Sequence, residues 1–254
     1  LIASQDEIDE GHKNTNKHDL DAFLVAKDNI TEFHMHQKRN NTIYTREDEI
    51  TLGMMYQPIE NAAMYVPGGK ASYPSSVLMG VIPAQIAGSQ QITIITPPDK
   101  EGKVPNMICA ICKELGIQTI IKSGGAQGIA AAGFGTESIP KSDIIVGPGN
   151  IYVTAAKTYL FSMGVIQIDS MAGPSEVLII ADDSTNPKWI AYDLLSQAEH
   201  EEMAIGLLVT TSKEFAEKVK SEIEEDIKNK TGRHEIKKTS IENNGLILVV
   251  DSLD

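Results

Sequence analysis

From Met54 to Val250 the chain alternates short apolar runs with helical stretches, and glycine or proline closes most of the early runs. Ala63-Met64-Tyr65-Val66 stops at Pro67-Gly68-Gly69, and Gln91 to Thr96 stops at Pro97-Pro98. Thr119-Ile120-Ile121 runs into Gly124-Gly125, and Asp143 to Val146 into Gly147-Pro148-Gly149-Asn150. Between these runs, 75–87, 104–115, 126–134 and 151–161 read as helices, with Pro83 interrupting the first and Gly116 stopping the second. A short strand is possible at 165–169. Strands separated by helices of this length predict parallel βαβ units with helices packed on the sheet.

A second register follows, with strands at 177–181, 205–210 and 246–250 and helices at 189–199 and 213–228. The expected fold is α/β: two Rossmann-like units with mainly parallel sheets, preceded by an N-terminal helical segment. The expected boundaries are 1–55, 56–174 and 175–254. In the first segment, Leu20, Phe23, Leu24, Ile30 and Phe33 recur at helical spacing and predict one amphipathic helix over 19–37. The polar stretch 229–244 is expected to be a mobile loop.

Composition narrows the partners. A net charge of −13 over 254 residues repels phosphate backbones, which argues against nucleic acid as the main partner. No apolar stretch approaches the roughly 18 residues needed to span a bilayer, and no basic-then-apolar leader is present. The chain starts at Leu1 rather than methionine, so both ends read as cut. Cys109 and Cys112 form a Cys-x-x-Cys that could be a redox pair or half a zinc site. With no second pair and an apolar helical setting, they read instead as two buried small hydrophobes. Scarce cysteines fit a reducing cytoplasm. His12, His18, His34 and His36 lack an obvious acidic partner and read as solvated.

Three features are candidates for chemistry. The glycine turns at 67–69, 124–125 and 147–150 fall at predicted strand ends, where parallel sheets collect ligands and following helices present N–H groups. None matches G-x-G-x-x-G, and tight strand–helix turns need glycine anyway. In Ser196-Gln197-Ala198-Glu199-His200, Gln197 and His200 lie three apart and would share a helix face as two metal donors, or simply end a polar helix. Ala172-Gly173-Pro174-Ser175-Glu176 enters a strand and reads equally as a ligand contact or a turn.

Taken together, Tyr65-Val66-Pro67-Gly68-Gly69, Ser123-Gly124-Gly125-Ala126-Gln127, Phe134-Gly135-Thr136-Glu137-Ser138, Gly147-Pro148-Gly149-Asn150, Ala172 to Glu176 and Asp193 to His200 resemble signatures of the histidinol dehydrogenase family, in order and at matching intervals. The resemblance covers about 33–250. It implies a cytoplasmic, homodimeric enzyme containing Zn2+ that oxidises L-histidinol through L-histidinal to L-histidine with two NAD. By the same resemblance Tyr65, Gln127 and Asn150 contact NAD, Ser175 contacts substrate, and Gln197 and His200 bind both zinc and substrate.

The family's general acid/base pair is a Glu-His following Gly-Pro, and no Gly-Pro-Glu-His occurs here. His234-Glu235 has the reverse order, so no catalytic residue is carried over. The remaining zinc ligands, partly from the partner subunit's C-terminal region, are likewise missing. The chain alone is therefore expected to hold zinc weakly, and losing the base typically costs ~10²–10⁴ in rate. A relative oxidising another small alcohol and a non-catalytic nucleotide-binding module are the competing readings.

Overall fold

The glycine- and proline-closed apolar runs are strands of one parallel sheet, and the runs of the second register form another. The computed structural model describes residues 1–68, 73–171, 173, 175–230 and 232–252. They divide into two compact units, Leu1–Ala172 and Gly173–Asp254.

The first unit begins with α1 (Gln5–Lys13) and α2 (Lys17–Met35), then a hairpin of β1 (Thr42–Thr45) and β2 (Thr51–Met54). There follow β3 (Asn61–Tyr65), α3 (Pro74–Ala87), β4 (Gln91–Thr96), α4 (Asn106–Glu114), β5 (Thr119–Lys122), α5 (Gly125–Phe134), β6 (Ile144–Val146), α6 (Ile151–Ser162) and β7 (Gln167–Ile168). Pro83 lies inside α3 without ending it. The five later strands are all parallel, in the order β5-β4-β3-β6-β7. Successive residues point to opposite faces, which sorts the core into two layers. Met64, Ile94 and Ile120 pack with α3 and α4; Ala63, Ile95, Ile121 and Ile145 pack with α5 and α6. Burying each isoleucine contributes roughly 1.5–3 kcal/mol.

Helix α1 carries little apolar periodicity, and the sequence reading passes over it. Ser4 caps it by accepting from Glu7 N–H. Its docking is largely polar: the Glu7 carboxylate accepts from Val104 N–H at 2.9 Å and pairs with Lys122 at 2.8 Å. Burial by itself would raise the Glu7 carboxyl, but Lys122 and the Val104 amide outweigh it and hold it below the ordinary value. His12 lies 2.8 Å from Glu114, an acidic partner 102 residues away that the sequence could not disclose.

Cys109 and Cys112 are free thiols with no exposed surface on α4. Burial, then the charge of Glu7, pushes the Cys109 thiol up to about 11; burial raises Cys112 further. Since thiolate is the reactive form, neither cysteine should react with Ellman's reagent at pH 8 until denaturant is added. Stoichiometric labelling of the folded chain within minutes would contradict this packing.

The second unit contains β8 (Glu176–Ile180), α7 (Pro187–Ala198), β9 (Ile205–Thr210), α8 (Lys213–Lys228), α9 (His234–Asn244) and β10 (Gly245–Val249), with parallel strands in the order β10-β9-β8. Helix α9 replaces most of the expected mobile loop. Polar anchors hold it: buried Lys237 pairs with Asp226, and Ser240 donates to the Ala204 carbonyl at 2.8 Å. An apolar-periodicity argument does not detect such anchors. Val177, Ile179, Leu208 and Ile247 pack under the helices, while Leu178, Ile180, Leu246 and Leu248 on the opposite face are exposed. Among the described residues no helix is long and apolar enough to cross a membrane.

Candidate functional site

In the first sheet the chain leaves β3 toward β4 on one side and later returns to β6 on the other. This reversal of strand order makes the carboxyl ends of β3 and β6 the place where an open α/β sheet forms a ligand crevice. The chain there is tightly constrained. Gly147 ends β6 with φ +110°, and a Cβ on it would lie 2.3 Å from the Tyr65 carbonyl oxygen. Cβ atoms on Gly68 and Gly124 would both strike Pro97, at 2.7 and 2.8 Å. Glycine is needed here because the ends of β3, β4, β5 and β6 converge. An apolar trough of about 730 Å³, bounded by Met64, Met79 and Val146, reaches this edge at Tyr65, Gly147 and Asp169.

The expected cofactor contacts are brought to this edge, with distinct local roles. Tyr65 is only 5% exposed, and its phenol oxygen accepts from Gly125 N–H at 3.1 Å. It therefore fixes the turn that starts α5. Gln127 is exposed in the first turn of α5, its Oε1 2.9 Å from where a Cβ on Gly125 would sit. Asn150 caps α6, its Oδ1 accepting from Tyr152 and Val153 N–H at 3.1 Å each. The amide nitrogen of Asn150 takes no part in the cap. Gly69 of the first glycine turn lies outside the described residues.

Sequence reasoning missed the group behind the Gly147 turn. Asp169, just past β7, accepts from Gly147 N–H at 2.8 Å through Oδ2. Its Oδ1 lies 2.5 Å from Lys157 Nζ, which also donates to the Gly147 carbonyl at 3.0 Å. Burial would raise the Asp169 carboxyl, but the Lys157 ammonium and the Gly147 and Ser170 amides outweigh it and hold it low. A lysine seven residues into a helix and an aspartate after a two-residue strand give no sequence signal.

The second unit's candidates occupy the other end of their sheet. Ser175 immediately precedes β8; its carbonyl accepts from Ile205 N–H at 3.0 Å, and its own N–H donates to Glu201 at 3.3 Å. Gln197 lies in the last turn of α7, and His200 follows the capping residue Glu199. His200 is thus outside the helix, its N–H donating to the Gln197 carbonyl at 3.2 Å, so a tight i to i+3 turn and not a regular α-helical turn relates the two residues. The helix stops at Ala198, so His200 is placed by the following turn. Because α7 runs antiparallel to the strands, Ser175, Gln197 and His200 all sit at the amino edge of this sheet. The carboxyl-edge expectation therefore applies to the first unit alone. Ala172 and Pro174 of the expected motif lie outside the described residues.

A zinc site needs about four donors. Gln197 Nε2 is buried without a partner, and His200 is exposed. Among the described residues no group of three or more His, Cys, Asp or Glu is arranged to hold a metal ion. These two side chains do not complete a zinc site.

The family model described as histidinol dehydrogenase matches residues 1–254. The chain belongs to the histidinol dehydrogenase family. The histidinol dehydrogenase of Leptospira biflexa is 52% identical over 241 residues, which are 95% of this chain and 56% of that protein. That of Halalkalibacterium halodurans is 46% identical over 254 residues, 100% of this chain and 59% of the relative. The crystal structure of histidinol dehydrogenase from Elizabethkingia anophelis superposes with a TM-score of 0.91 at 40% identity, covering 100% of this chain and 58% of that one. The chain thus spans a little over half the length of the histidinol dehydrogenases it matches.

Proposed function

We propose that this chain is the dinucleotide-binding part and a portion of the substrate site of an enzyme that oxidises L-histidinol to L-histidine with two NAD. The supporting observation is the reversal of strand order between β3 and β6, rimmed by glycine turns and by the N-termini of α5 and α6. Helix N-termini favour anionic groups because their first N–H groups lack intrahelical partners. In this reading Gln127 and the Asn150 amide contact the dinucleotide, Tyr65 acts by holding the Gly125 turn, and the apolar trough receives a flat ring. NAD, when bound, supplies the hydride acceptor. Ser175, Gln197 and His200 face the substrate.

The same reading makes zinc binding depend on donors outside this chain. Gln197 and His200 contribute two of the ligands, and the remainder, like the acid/base pair, belongs to the part of the family's length not spanned here. A cytoplasmic homodimer is proposed for the whole enzyme on family grounds. The chain alone is inactive in this account.

Titration with NADH, followed by its fluorescence, tests the first part. The chain should bind NADH, and Gln127→Ala should weaken binding about tenfold, the scale of one lost hydrogen bond to a charged or polar ligand group. No saturable binding up to about 1 mM, an affinity near the low end of specific recognition, would sink the dinucleotide reading. With zinc, NAD and histidinol added, NADH production should stay at background; turnover typical of an enzyme, about 1 per second or faster, would refute incompleteness.

A further inference from the structure

We propose that the Lys157–Asp169 pair is a strut that sets dinucleotide affinity by holding the Gly147–Asn150 turn in its binding-competent shape; this rests on the dinucleotide reading of the site. The turn leaves the ladder after Val146, where a backbone of positive φ could reorganise. Here Asp169 takes the Gly147 N–H and Lys157 takes the Gly147 carbonyl, so both polar groups of that residue are held by an ionised pair. The pair also closes on itself through Lys157 Nζ and Asp169 Oδ1.

Lys157 is only 4% exposed. A lysine at such depth costs stability unless its charge is matched and its N–H groups are used. Both partners named above lie at the mouth of the crevice, which localises that cost at the carboxyl edge of β6. The three attachment points are Gly147 just after β6, Lys157 in α6 and Asp169 just after β7, so the strut ties the turn to α6 and to the end of β7. Asn150, which caps α6 and is a proposed dinucleotide contact, follows Gly147 by three residues. Its position is therefore inherited from the strut. Neither charged residue is assigned a contact with ligand: these are positioning residues.

The expected effect follows from population. If loss of the pair leaves the turn competent about one-tenth of the time, apparent Kd rises about tenfold with intrinsic contacts unchanged. The experiment measures NADH affinity of the full chain for Asp169→Asn, Lys157→Met and the double variant, well below each variant's unfolding temperature. Lys157→Arg is the conservative replacement, and Gln127→Ala the contact control. We expect each single variant to weaken binding about tenfold, the double variant to be no worse than either, and arginine to restore part of the loss. Hydrogen exchange of the Gly147, Gly149 and Asn150 amides should accelerate in parallel.

A purely structural pair would lower the melting temperature but leave the Kd of the folded protein within about twofold. That outcome, with Gln127→Ala still impaired, overturns the strut and spares the dinucleotide reading. Failure of the unmodified chain to bind NADH overturns both. Because Lys157→Met could misfold, Asp169→Asn, which keeps the side chain's shape but removes the charge that pairs with Lys157, carries the decision by itself.

Discussion

Gly147→Ala is expected to destabilise the first unit by about 3–5 kcal/mol, from a strained left-handed backbone and a steric clash acting together. The φ of +110° disfavours any side chain, and the added Cβ would lie 2.3 Å from the Tyr65 carbonyl oxygen. That neighbour is backbone of the central strand, so relief requires moving β3 against β6. Urea unfolding followed by far-ultraviolet dichroism measures the change. Gly102→Ala supplies the control, since its φ is also positive at +77° but no atom lies within 4 Å of the added carbon. It should lose only about 1–2 kcal/mol, the backbone part alone. Equal losses in the two variants would remove the argument that close approach of β3 and β6 is what requires glycine. NADH binding should also fall in Gly147→Ala and stay unchanged in Gly102→Ala.

Leu208→Ala should cost the second unit about 2–5 kcal/mol, the range for opening a cavity in a packed core. Leu208 has no exposed surface and sits mid-strand in β9, under the helical layer with Ile179 and Ile247 beside it. The unit's buried apolar cluster is small, so one such loss removes much of its margin. Trp189, the single tryptophan, lies in α7 and reports on this unit alone. Its fluorescence transition should shift to lower urea, while Leu178→Ala, on the open face and 57% exposed, should stay within about 0.5 kcal/mol. A large effect at Leu178 would mean that something covers that face in solution.

Much of the fold was legible because its signals are local. The runs 91–96 and 205–210 match β4 and β9 residue for residue, and α8 matches 213–228. Where the signal was weak, the reading failed for identifiable reasons. The β1–β2 hairpin has no buried residue to give it a pattern. Helices α1 and α9 are held through Glu7, Lys237 and Ser240, polar side chains that resemble solvent-facing ones until their partners are known. His12 looks solvent-facing in the sequence for the same reason, because Glu114 is remote along the chain.

The site was legible to a different degree. Six motifs in register pointed to the family, which needs only residue identity and spacing. They did not reveal that Tyr65 spends its hydroxyl on Gly125, or that Asn150 spends its carbonyl oxygen on a helix cap. The sequence by itself determined the alternation of strand and helix, the glycine corners and the family, since each is encoded within a few residues along the chain. Which edge of the second sheet carries Ser175, Gln197 and His200, and that Lys157 and Asp169 meet behind Gly147, only the tertiary structure decided. Those placements depend on the direction in which helices return and on contacts between separate elements, and no local pattern of residues specifies either.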